Sequence, residues 1–104
     1  MVKSSIHHPE TKGDPEFKTR NDIGKLWKVY LYIDSDRIPF IESVTYHLHA
    51  SYKKPIETIY KSMSNYHFAM IVWLNKSISY TAKIKFIDGK EIIEKGNFDN
   101  ISLP

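Results

Sequence analysis

The chain has 104 residues, 41% of them hydrophobic and 13% aromatic, with seven tyrosines and two tryptophans. That length supports one domain around one core, and the apolar content beside 26% charged residues excludes a disordered composition. Fifteen basic residues against twelve acidic give a formal net charge of +3, too dispersed for the concentrated basic stripe that nucleic acid binding takes. The absence of cysteine excludes disulfides, thiolate metal sites and cysteine nucleophiles. No apolar run approaches the ~20 residues of a transmembrane helix, and residues 1–6 lack a signal peptide's apolar segment. The expectation is a cytoplasmic protein with no membrane association.

Residues 1–22 read as a flexible or extended lead-in, part of it placed along a sheet edge. His7-His8-Pro9, Gly13-Asp14-Pro15 and Asn21-Asp22 are breaker signals without apolar periodicity. From Leu26 the pattern changes: Trp27, Val29, Leu31 and Ile33 alternate with Lys28, Tyr30 and Tyr32, which predicts a strand with one buried face. A polar turn at Asp34-Ser35-Asp36 leads past Pro39 to a second strand over residues 40–49. Ile56, Thr58 and Tyr60 mark a short edge strand, and residues 62–65 a polar connector. Residues 68–73, almost wholly apolar, predict a strand buried on both faces. After a turn at Asn75-Lys76-Ser77, the residues Ile78, Tyr80, Ala82, Ile84 and Phe86 give the clearest alternation in the chain. Asp88-Gly89 predicts a two-residue hairpin turn into a returning strand over residues 91–95. Residues 96–100 read as a turn, and Ile101 with Leu103 as a last short strand. No window carries helical spacing, so residues 23–104 are expected to form an all-β antiparallel sandwich of about seven or eight strands, with a small barrel as the alternative.

Catalytic signatures are missing: no Gly-x-Ser-x-Gly elbow, no phosphate-cradling glycine loop, no cysteine to pair with a histidine. Carboxylates such as Glu42, Glu57, Glu91 and Glu94 stand beside lysines, as on a solvated face. His47 and His49 share one strand face at a spacing that occurs in zinc sites. A third ligand of recognisable spacing is lacking, so the favoured reading is two polar strand residues, with no metal and no cofactor. Most aromatic rings of a sandwich are core. Tyr52 differs, because it follows a strand end beside Ser51, and Trp73 closes an apolar strand just before a turn. Were both at one end of the sandwich, the two rings would flank a slot for flat or cationic groups.

Trp27-Lys28-Val29-Tyr30-Leu31, the run Phe40-Ile41-Glu42-Ser43-Val44-Thr45-Tyr46-His47-Leu48-His49-Ala50-Ser51-Tyr52, then Pro55, Phe68, Trp73 and Lys83-Ile84-Lys85-Phe86 resemble the YEATS domain in order and spacing. Leu48-His49-Ala50-Ser51-Tyr52 is similar to that family's Leu-His-x-Ser-aromatic motif. The resemblance implies an immunoglobulin-like β-sandwich. It also implies a non-catalytic reader that holds an acylated lysine between two aromatic rings at one end of the sandwich. By position, Tyr52 resembles one wall of that slot, Ser51 the hydroxyl that bonds the acyl amide, and His49 the histidine lining it, with Trp73 as the second wall.

Two features depart from the family. Val72-Trp73-Leu74-Asn75-Lys76-Ser77 stands where a glycine-containing aromatic loop is usual, and Ile23-Gly24 where an aromatic usually precedes the first tryptophan. These departures and the short chain resemble the prokaryotic YEATS group. The partner implied is an acylated-lysine peptide or another protein. The alternative is a structural or protein-interaction sandwich that keeps the fold without the pocket.

Overall fold

In the computed structural model, residues 1–9, 11–22, 24–48, 56–74 and 79–97 are described. They form eight strands in two antiparallel sheets arranged as a sandwich, with no α-helix among them. The first sheet is built on β3 (Gly24–Ile33), which pairs with β1 (Val2–Ser5), β2 (Phe17–Arg20) and β6 (Met70–Leu74). The second has the order β5 (Ile56–Tyr60), β4 (Ile41–Leu48), β7 (Ser79–Phe86), β8 (Glu91–Asn97). Short 3-10 turns at Ile38–Phe40 and Met63–Asn65 link the layers.

The alternation along β3 works as the sequence predicts: Val29, Leu31 and Ile33 are fully buried in the core. The opposite face is not bare. Tyr30 is buried too, with the His8 ring edge-on to it at 5.3 Å between centroids. Val2–Ser5 pairs with the last four residues of β3 and Phe17–Arg20 with its first four, while β6 pairs with the middle. The register overlaps place β1 and β2 end to end along one edge of β3, with β6 on the other. Much of the predicted lead-in is therefore sheet; four-residue strands between breakers are too short to show periodicity.

In the second sheet, Val44, Tyr46 and Leu48 face Ala82, Ile84 and Tyr80 on the inner side, all buried. Tyr46 is fully buried, and its hydroxyl donates to the Phe68 carbonyl at 2.7 Å. That bond ties β4 to the connector entering the opposite sheet. Phe68 holds φ at +52°, a left-handed conformation costing a non-glycine residue roughly 1–3 kcal/mol. Its neighbours impose it. The Asn65 amide donates to the Ala69 carbonyl at 2.9 Å and accepts from the Ala69 N–H at 2.8 Å, and the Ile33 N–H donates to the His67 carbonyl at 2.9 Å.

Several sequence expectations need correction. β6 is buried on one face only: Met70, Val72 and Leu74 enter the core while Ile71 is 46% exposed. An all-apolar run carries no alternation from which its faces could be told apart. Phe40 belongs to a 3-10 turn, so β4 starts one residue later than expected. The β7–β8 turn has three residues, Ile87-Asp88-Gly89: the Phe86 N–H bonds the Lys90 carbonyl, and only Gly89 takes positive φ, +92°. β8 continues through Gly96 to Asn97. His49 and Ile78 at predicted strand ends, and the strand expected at Ile101 and Leu103, lie outside the described residues.

Gly96 is in the strand because Tyr80, directly across from it, lays its ring over that position. A Cβ there would stand 2.7 Å from the Tyr80 hydroxyl oxygen and 2.8 Å from Cζ. Gly96→Ala is expected to destabilise the fold by about 1–3 kcal/mol. In a double-mutant cycle with Tyr80→Ala, denaturant unfolding should recover much of that loss, and strict additivity would contradict the packing.

Tyr46 and Tyr80 hold their protons above the ordinary phenol range, first because burial disfavours the phenolate, then through neighbouring groups, Glu94 among them. An unfolded tyrosine ionises near pH 10. Above that the folded state keeps protons that the unfolded state releases, so this stability is intact below about pH 10 and lost as pH rises further. Unfolding free energy is expected to fall above about pH 10, and in Tyr46→Phe the slope should be shallower by up to ~1.4 kcal/mol per pH unit. The variant should also lose about 1–3 kcal/mol at neutral pH, because the buried Phe68 carbonyl loses its donor. Denaturant titrations across pH, followed by circular dichroism, check both.

Candidate functional site

The strands determine which segments share an end of the sandwich. Leu48, the last residue of β4, pairs with Tyr80 near the start of β7. Trp73 and Leu74, closing β6, pair with Lys28 and Trp27. The end of β4, the end of β6 and the start of β7 thus share one end of the sandwich, where β2 also turns back into β3. His49, Ser51 and Tyr52 lie outside the described residues.

Trp73 is described. It sits between the core residues Val72 and Leu74, so its ring is on the outer face of the first sheet, half-buried, turned away from the sheet that carries β4. The Lys18 ammonium lies 4.4 Å from its ring centre. Beside it, Lys28 bonds Glu16 at 2.9 Å and stands 5.4 Å from the Tyr30 ring centre. The Glu16 carboxylate, then the Tyr30 hydroxyl, raise the Lys28 ammonium above its ordinary range.

A second aromatic group occupies the other face of the β2–β3 hairpin. Phe17 and Trp27 are directly opposed across the two strands, ring centres 5.1 Å apart and tilted by 48°. The Lys25 ammonium lies 4.4 Å from the first ring and 5.9 Å from the second. Although Ile23-Gly24 supplies no aromatic before Trp27, a ring is set against it by Phe17, from a segment the sequence marks only as lead-in. Cross-strand pairing, invisible before the hairpin register is known, creates this neighbour.

On the outer face of the first sheet, His8, Pro9, Tyr30, Asn65, His67 and Ile71 line a half-open cavity of about 260 Å³. It joins residues from three distant segments, which no local motif could announce. His47 is exposed on the outer face of the second sheet, between Ile56 and Thr81. Among the described residues no three or more His, Asp or Glu side chains are grouped to hold a metal. Glu42 and Glu91 pair with Lys85 and Lys83 at 3.6 and 3.1 Å on the solvated face. Glu94 departs from that expectation: it shares the inner side of the sheet with Ala82, and accepts from the Val2 N–H at 3.1 Å.

Two antiparallel sheets with rings and ammonium groups gathered at one end are the framework of a binding module: they offer surfaces for stacking and for charge. The chain belongs to the prokaryotic YEATS domain family, whose sequence pattern matches residues 27–99. YEATS domains are in general non-catalytic modules that bind proteins or peptides. No curated protein and no solved structure matches the chain.

Lys18 stacked on Trp73 gives a spectroscopic signature. The Lys18 side-chain protons are expected to be shifted upfield by the indole ring current and to return to ordinary values in Trp73→Leu. Unshifted Lys18 resonances in the unaltered protein would contradict the stacking.

Proposed function

We propose that the chain is a non-catalytic cytoplasmic binding module for an acylated lysine or similar planar group, held between Tyr52 and Trp73. In this reading Ser51 bonds the acyl amide and His49 lines the slot. The observation that supports it is the Leu48-His49-Ala50-Ser51-Tyr52 motif in the sequence, together with the ends of β4 at Leu48 and of β6 at Leu74, which share one end of the sandwich. Family membership supports a protein or peptide partner. A group stacking on Trp73 takes the position of the Lys18 ammonium, an exchange that costs only about 0.5–1 kcal/mol at an exposed site.

The second reading is a structural or protein-interaction sandwich without an acyl pocket. It is favoured by the Trp73 ring, which faces away from the sheet of β4. Titration with acetyl- and crotonyl-lysine peptides, followed by NMR, separates the two. Saturable shifts at Ser51, Tyr52 and Trp73 are expected of a reader, and none at millimolar peptide would leave the second reading. Tyr52→Ala is expected to abolish peptide binding with little effect on stability; a core ring would instead cost ~3 kcal/mol or more.

A further inference from the structure

The corner formed by Phe17 and Trp27 already holds an ammonium group, that of Lys25. Lys25 and Trp27 are two residues apart on β3 and so share a face, and Phe17 lies directly across from Trp27. The lysine side chain therefore reaches diagonally over both rings. Each ring presents π-electron density to the cation, the attraction by which aromatic cages select methylated ammonium groups. Phe17 is 49% exposed, so the corner is open to solvent. Lys25 is itself exposed, and among the described residues it forms no ion pair, unlike Lys28, which Glu16 holds. Among the described residues, the contacts of the Lys25 ammonium are those with the two rings.

We propose that the Phe17–Trp27 corner is a binding site for a methylated ammonium group, with Lys25 as a built-in competitor that an incoming cation displaces. A methylated ammonium is the better occupant. Its methyl groups spread the charge and give up little hydration, whereas a primary ammonium loses strong hydrogen bonds to water when it leaves solvent. Lys25 competes from the same strand without the loss of translational freedom that a free ligand suffers, which holds external binding weak until the side chain swings away. The site uses Phe17, Trp27 and Lys25 and none of the residues 49–52, so it stands or falls independently of acyl-lysine reading. A trimethyllysine side chain and a choline head group carry the same chemistry, and separate arms of the test distinguish them.

The test titrates the full chain with tetramethylammonium chloride, observing the Trp27 indole N–H and the Phe17 ring protons by NMR, with sodium chloride at matched ionic strength as reference. Saturable shifts at both residues are expected. Lys25→Gln, which removes the competitor at an exposed position, should bind a few-fold to about tenfold tighter. Phe17→Leu in that background should abolish the shifts while the amide spectrum stays folded. A trimethyllysine peptide or phosphocholine moving the same resonances would identify the carrier. Shifts no larger than those in sodium chloride, in both the unaltered chain and Lys25→Gln, overturn the proposal. So does equal affinity in the two proteins, because Lys25 would then not be competing.

Discussion

The bond from the buried Tyr46 hydroxyl to the Phe68 carbonyl ties β4 of one layer to the connector that enters the other. A phenol without a partner in the core would cost a few kcal/mol, so the connector before β6 must bring a carbonyl to it. Phe68 meets that demand by turning its backbone into the left-handed region, and the paired Asn65–Ala69 bonds hold it there. The placement of β6 follows. With Phe68 and Met70 inside, strand alternation sends Val72 and Leu74 inward and Ile71 and Trp73 outward. The outward direction of the Trp73 ring thus follows from the burial of Met70, Val72 and Leu74 on the same strand.

At the far end of β6 the molecule solves a different problem. Phe17 is exposed and Trp27 only partly buried on one face of the first sheet, and Trp73 is half-buried on its outer face; exposed rings invite unwanted association. Lysines rather than apolar side chains cover them: Lys18 on Trp73, and Lys25 over Phe17 and Trp27. Their methylene stems shield apolar surface while the charges stay in water. Such a cover is attractive but weak, so the rings remain available to a ligand that stacks better. The solvated face of the second sheet differs, because its lysines pair with Glu42 and Glu91 across strands. Exposed pairs of that kind contribute little stability and chiefly keep the face polar.

Much of the fold was legible because alternation with period two survives wherever one face is buried and the other wet. Leu26 to Ile33, the run ending at Leu48, and Tyr80 to Phe86 all show it, and each is a strand of the expected polarity. Where that contrast is lost, so is the signal. The apolar residues 70–74 conceal which face is open, and β1 and β2 are too short to display a period. Gly96 reads as a turn residue when its reason is a tyrosine ring across the strand. The candidate site divides in the same way: Ser51 and Tyr52 are singled out by a local motif, whereas nothing local joins Phe17 to Trp27.

By itself the sequence determined the class of the fold, the strands that form the centre of each sheet, and membership of the prokaryotic YEATS domain family over residues 27–99. All three rest on patterns of neighbouring residues, and periodicity is local. Only the tertiary structure decided that β1 and β2 share one edge of β3, that Trp73 looks outward beneath Lys18, and that Phe17 and Trp27 form a corner around Lys25. Those relations depend on register between strands distant along the chain. Register is set by burial of the whole core and by the hydrogen bonds that must be met inside it, and no single segment encodes either.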